Sequence, residues 1–185
     1  MSGLCSGGGA EVFALVAYVP DPLGSFVDRV RRELAPGCRL RAHITILPPR
    51  ELKCDKSLAS RKIEALLNET RSFRVDIGEV TVFPVSNVIY LSIGSGSQQL
   101  KDLHHRLNQG PCESAEVWCF EPHLTLAQDL DPAAVARAQE IAKRRWREYT
   151  GPHEFALDHL TFVQGDPDRG WADLQTWELP SPVLV

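Results

Sequence analysis

Two tetrapeptides carry side chains that could do chemistry together: His43-Ile44-Thr45-Ile46 and His123-Leu124-Thr125-Leu126. Each sets an imidazole and a hydroxyl two residues apart, with large apolar residues between them. On a β-strand successive side chains face opposite sides. Each His therefore shares a face with its Thr, while Ile44, Ile46, Leu124 and Leu126 point into a core. Imidazole titrates near neutral pH and can take or give a proton. One such motif is common; two, 80 positions apart and in matching contexts, suggest a duplicated unit that brings both imidazoles into one cleft.

The flanking sequence supplies elements that could position them. Val12–Val19 is almost continuously apolar, as in a strand covered on both faces. Asp21-Pro22 reads as the start of a helix with Leu23, Phe26, Val27, Val30 and Leu34 on one side, stopped by Pro36-Gly37. The basic loop Arg39–Arg41 leads into the first motif strand, which Pro48-Pro49 is expected to end. Asp55 can cap a second helix. Phe73–Val82 alternates as a strand, with a slip at Gly78 that suggests a β-bulge.

After a turn at Pro84–Asn87 the order repeats. There is a strand at Val88–Gly94, a helix capped by Ser97, the second motif strand, and a helix from Asp131-Pro132 to about Tyr149. A strand at Phe155–Val163 follows, then a last one at Trp171–Leu179. Phe73-Arg74-Val75-Asp76 and Phe155-Ala156-Leu157-Asp158 echo each other 82 positions apart. The expected fold is α+β: two pseudo-symmetric lobes, each an antiparallel-type sheet with outer helices, and a groove between them. The boundaries are a flexible leader at 1–11, one bilobal domain at 12–180 with repeats at about 12–84 and 88–164, and a tail at 181–185.

Composition narrows the function classes. A net charge of −4 and a pI near 5.9 disfavour broad, charge-driven nucleic-acid binding. The five cysteines form no CxxC pair, so neither a zinc site nor a disulfide framework is expected. No apolar run approaches the ~20 residues of a membrane span, and Met1–Glu11 lacks the charged and apolar regions of a signal peptide. A cytoplasmic monomer without membrane attachment, cofactor or metal is the expectation. His104-His105 point in different directions on a helix and would not chelate together. His159 is expected in the core and His153 in a loop.

Paired His-x-Thr motifs about 80 residues apart in a duplicated framework resemble the 2H phosphoesterase superfamily. The closest resemblance is its 2′-5′ RNA ligase-like branch, which includes cyclic phosphodiesterases. It extends over about Val12–Leu179 and rests on Arg41-Ala42-His43-Ile44-Thr45-Ile46 and Glu121-Pro122-His123-Leu124-Thr125-Leu126. The resemblance implies metal-independent chemistry on 2′,3′-cyclic phosphates or 2′-5′ phosphodiesters. His43 and His123 would be the catalytic acid and base, with Thr45 and Thr125 holding phosphate oxygens. The substrate would be a small cyclic nucleotide or an RNA end.

Opening a cyclic phosphate with water needs one proton removed from the nucleophile and one given to the leaving ribose oxygen, which two imidazoles can do. Were the strands to begin two residues earlier, Arg41 would share the face of His43 and Glu121 that of His123. A cation lowers an imidazole pKa and a carboxylate raises it. His43 would then be the base and His123 the acid, with the roles exchanged in the reverse reaction. Several ligase-like relatives carry a basic residue where this chain has Gln128, which argues against ligation and tight RNA binding unless Arg39, Arg41 or Arg50 compensates. Trp118 and Phe120 either pack in their loop or stack on a base. The alternatives are an ATP-independent 2′-5′ RNA ligase, a non-catalytic nucleotide or RNA-end binding module, and a scaffold in which the motifs are structural.

Overall fold

The computed structural model describes residues 11–166 and 170–182. The expected leader, apart from Glu11, and the end of the tail lie outside the described residues. Along the chain come β1 (Phe13–Tyr18), α1 (Leu23–Leu34), β2 (His43–Arg50), α2 (Lys56–Leu67), β3 (Phe73–Val82), β4 (Ile89–Ile93) and α3 (Ser97–Leu107). After a 3₁₀ turn at Gly110–Cys112 come β5 (His123–Ala127), α4 (Pro132–Glu148), β6 (Glu154–Leu157), β7 (His159–Asp166) and β8 (Gly170–Glu178).

The strands form an antiparallel sheet in the order β6-β3-β4-β5-β2-β1-β7-β8. The two motif strands, β5 and β2, lie at its centre. To one side run β4, β3 and β6; to the other, β1, β7 and β8. This is the expected pair of pseudo-symmetric lobes, joined where Ile44 pairs with Leu124. The third strand of each repeat crosses over. β3 leaves the first repeat to pair with β4, and β7 leaves the second to pair with β1. The echoing stretches pair with each other, Phe73 opposite Leu157 and Val75 opposite Phe155. Neither repeat can therefore complete its sheet alone.

One face of the sheet is sealed by helices. Ile44, Ile46, Leu124 and Leu126 are buried there with Val27 and Val30 of α1, Ile63 and Leu67 of α2, Leu100 and Leu103 of α3, and Ala142 of α4. Burying such side chains contributes about 1.5–3 kcal/mol each. The helices also exchange lobes: α1 packs on β5 and α4, and α3 packs on β2. The other face has a small apolar patch of Ala14, Val16 and Val163 beside Tyr18 and Trp171. That is why β1 reads as apolar on both sides.

Local signals explain most boundaries. Asp55 caps α2 by accepting from Leu58 N at 3.0 Å, and Asp131 caps α4 from Ala133 N at 2.9 Å. The slip at Gly78 is a register shift between β3 and β4. A Cβ there would stand 2.6 Å from Ser92 Oγ, which accepts from Glu79 N, so a larger residue would have to displace that hydroxyl from its bond.

Four expectations need correction. Gly96, at φ +87°, precedes the first residue of α3, a left-handed position that suits glycine and not Ser97. α1 begins at Leu23, with Asp21 capping from outside through Ser25. The run Phe155–Val163 is two strands, parted at Asp158, because its halves pair with different partners, β3 and β1. Finally, β2 runs through Pro48-Pro49 to Arg50, which pairs with Phe13. The β5 edge of β2 is paired only at Ile44, so the prolines interrupt no ladder on that side.

Candidate active site

The two motifs occupy equivalent places on neighbouring strands. From Arg41 to Leu47 and from Glu121 to Ala127 burial alternates identically, with Ile44, Ile46, Leu124 and Leu126 inside and His43, Thr45, His123 and Thr125 half-buried on the open face. Ile44 directly opposes Leu124. One step either way along an antiparallel pair, His43 stands across from Thr125 and Thr45 across from His123. Side chains so opposed have Cβ atoms ~4.5–5.5 Å apart. The pairing thus gathers two imidazoles and two hydroxyls into one diagonal quartet.

Each ring is fixed from behind in the same way. His43 Nδ1 lies 2.6 Å from the carbonyl oxygen of Arg41, and His123 Nδ1 lies 2.7 Å from that of Glu121. A carbonyl only accepts, so Nδ1 carries the proton and the neutral ring keeps its lone pair on Nε2. Both strands start at the His, not two residues before it. Backbone carbonyls, and not the Arg41 and Glu121 side chains, therefore hold the rings.

The electrostatics of the two rings differ. Burial pushes the His43 pKa down to about 4, against its bond to the Arg41 carbonyl; the charges of Arg31 and His123 push it lower and Asp28 raises it. Burial also lowers the His123 pKa, but the Glu121 carbonyl and carboxylate both oppose that shift. The expected cation at His43 is thus Arg31, not Arg41. Arg31 is only 4% exposed, and it donates through Nη1 at 3.1 Å to the same Arg41 carbonyl that holds His43. Sequence reading misses it because a charged residue on the buried stripe of α1 looks like an outward-facing one. Its signal is its helical spacing, one residue after Val30 and four after Val27.

Arg31→Met is expected to raise the His43 pKa by removing that cation. An NMR titration of the His43 ring against pH measures this, and an unmoved midpoint rejects it.

Further out the walls diverge. Tyr18, the β1 partner of His43, donates its phenol to Asp173 Oδ1 at 2.5 Å, and the Arg41 guanidinium lies 3.7 Å over its ring. On the other side Phe83 stacks on Tyr90 at 4.0 Å, and both present their rings to His123 edge-on at 5.0 and 5.3 Å. The Glu121 carboxylate is bound by Lys101 at 2.7 Å.

Other singled-out residues lie elsewhere. Gln128 is exposed just past β5 and donates to Asp129 at 3.1 Å. Trp118 is 69% exposed. Phe120 stacks flat on His104 at 3.9 Å, inside the loop before β5. Arg50, a candidate phosphate ligand by sequence, is 6% exposed and bound to Glu116, Asn108 and the Cys112 carbonyl, so it cannot reach the open face. His104 is buried between the Ile46 carbonyl and Glu116, at 2.7 and 3.0 Å. His159, expected in the core, is instead exposed beside Asp158, where the chain passes from β6 on one side of the sheet to β7 on the other. His153 is a loop residue stacked on Trp146. Among the described residues no helix is long and apolar enough to cross a membrane.

A two-lobed antiparallel sheet with a His-x-Thr motif on each central strand defines the class of fold expected of 2H proteins. The family model of the 2′-5′ RNA ligase superfamily matches residues 19–169, and the chain belongs to that superfamily. A relative from Oceanobacillus iheyensis named "Putative phosphoesterase OB1230" is 34% identical over 96 residues, 47% of this chain and 56% of its own length. A Bacillus licheniformis protein of the same description is 25% identical over 90% of this chain and 98% of its own. The crystal structure of Escherichia coli LigT in apo form shares the fold, with a TM-score of 0.63 at 16% identity over 94% of this chain and all of LigT.

Proposed function

We propose that this superfamily member is a phosphoesterase that opens 2′,3′-cyclic phosphates on small nucleotides or RNA ends by paired-imidazole acid–base catalysis. The observation that carries the reading is the quartet: His43 across from Thr125, and His123 across from Thr45. A phosphate bound on the open face would meet a hydroxyl and an imidazole from each strand. His43, the more acidic ring, is neutral near pH 7 and serves as base, taking a proton from water through Nε2. As the water oxygen bonds to phosphorus, the P–O bond to one ribose oxygen breaks. His123, the ring whose charged form Glu121 favours, gives that oxygen its proton. Thr45 and Thr125 donate hydrogen bonds to the non-bridging oxygens. The relatives' names and a LigT structure described as complexed with 3′-AMP support a phosphate ester as substrate. Gln128 brings no charge to a long RNA, which supports hydrolysis over ligation.

The test is turnover of 2′,3′-cyclic mononucleotides and of RNA with a cyclic-phosphate end, with and without EDTA. EDTA-resistant hydrolysis to a monophosphate is expected. Turnover abolished by EDTA and restored by a divalent metal would overturn the metal-free mechanism, and no turnover of either substrate would overturn the reaction.

The pH dependence follows from the two lowered pKa values. Base His43 must be neutral and acid His123 protonated, so kcat/KM should rise above about pH 4 and fall again through the His123 pKa, itself below 6.5. A bound anion favours the protonated rings. The kcat profile, which reports the complex, should therefore lie to the alkaline side of the kcat/KM profile. Superimposed profiles would reject a phosphate seated between the rings.

A further inference from the structure

We infer that the recess beside His43 is a subsite for a second phosphate of the substrate, carried on the 5′ side of the nucleotide whose cyclic phosphate reacts. The inference rests on the phosphoesterase reading above. The recess, about 270 Å³, is lined by Tyr18, Arg39, Leu40, Arg41, Trp171 and Asp173. It adjoins the quartet: Tyr18 is the direct β1 partner of His43, and Arg41 stands two residues before it.

Its charged wall is organised. Asp173 accepts from Tyr18 at 2.5 Å and from Arg41 Nη1 at 3.4 Å, while the Tyr18 ring supports the guanidinium from below at 3.7 Å. One carboxylate and one ring thus hold the Arg41 fork flat. A guanidinium has five N–H donors, so most remain free for another acceptor. Two arginines against one carboxylate leave the recess positive, in a chain whose net charge is −4. A tetrahedral dianion is the group whose oxygens suit a fixed guanidinium fork plus a second cation.

The opposite end of the site lacks this chemistry. There Phe83 and Tyr90 flank His123, and Lys101 is already paired with Glu121. The two ends therefore differ as an anion site and an aromatic wall, and a nucleotide with a second phosphate has one preferred direction across the quartet.

Calorimetric titration of the full chain with adenosine 3′-monophosphate and adenosine 3′,5′-bisphosphate tests this without requiring turnover. The bisphosphate is expected to bind about tenfold more tightly, the increment of one charge-assisted pair at a partly exposed site. That preference should fall several-fold in Arg39→Ala and in Arg41→Ala and vanish in the double variant. Arg41→Lys, which keeps the charge and loses the fork, should retain part of it. Equal affinity for the two ligands overturns the subsite, as does a preference that survives in the double variant. A dinucleotide 3′-phosphate without a terminal 5′-phosphate separates the sources. Bisphosphate-like tightness assigns the subsite to the next backbone phosphate; monophosphate-like affinity assigns it to a terminal 5′-phosphate. An arginine-dependent preference in a protein that hydrolyses no cyclic phosphate would overturn the reaction and leave the subsite standing.

Discussion

His43→Asn and His123→Asn should each lower kcat/KM on a 2′,3′-cyclic nucleotide by about 10²–10⁴-fold, the usual worth of a positioned acid or base. Stability at pH 7 should hold or improve. A half-buried imidazole held neutral is no asset to folding, and the Asn side chain can still donate toward the Arg41 or Glu121 carbonyl. In the proposed mechanism the two rings act as a unit, so the double variant should be little worse than the worse single one. A scaffold role predicts the reverse pattern, with unfolding and no specific kinetic loss. Paired measurements of kcat/KM and of urea midpoints separate these. A variant that is folded and retains more than a tenth of the activity would remove its histidine from the mechanism.

The same ring gives a stability signature with a defined sign. The folded-state pKa of His43 lies at about 4, below its unfolded value near 6.5. The unfolded chain therefore binds the extra proton first. Stability is fully present above about pH 6.5 and is lost as the pH falls toward about 4, by up to ~3 kcal/mol. In His43→Asn that part of the acid sensitivity should disappear.

The largest structural effect is expected at Arg50. The residue is 6% exposed, and its guanidinium ties β2 to the loop before β5. It donates to Asn108 at 2.5 Å, the Cys112 carbonyl at 2.9 Å and Glu116 at 2.9 Å. Glu116 in turn accepts from His104, whose other nitrogen lies 2.7 Å from the Ile46 carbonyl in the motif strand. Arg50→Met keeps the stem and removes these three donated bonds, leaving Glu116 with His104 alone from this network. Breaking one side of a buried pair costs about 3–5 kcal/mol, and the partial exposure of Glu116 places the loss near ~3 kcal/mol. In a domain of this size that is a fall of roughly 6–12 °C in Tm. Because the loop delivers His123, kcat/KM should fall as well. A loss under ~1 kcal/mol by urea denaturation would show that the network is replaceable by water.

Much of the fold and of the site is legible in the amino-acid sequence. The period-2 burial of both motifs, the caps at Asp55 and Asp131, the bulge at Gly78 and the repeat itself all come from local rules acting on neighbouring residues. So does the joint face of His and Thr, since alternation along a strand needs no tertiary information. What stays hidden is the partner of each element. The Phe155–Val163 run shows no break, yet its halves join opposite sides of the sheet, beside β3 and beside β1. Pro48-Pro49 looks like a stop only while the unpaired edge of β2 is unknown. Arg50 and Arg31 look like free surface cations until their burial is seen.

By itself, then, the sequence determined that two His-x-Thr strands exist, that their chemical side chains share a face, and that the fold repeats. Only the tertiary structure decided that Ile44 opposes Leu124, which sets each histidine across from the other motif's threonine. It also decided which cation acts on His43, since Arg31 reaches the Arg41 carbonyl by packing and not by proximity in the chain. Alternation is a property of one strand, whereas register and burial belong to pairs of elements brought together by the whole core.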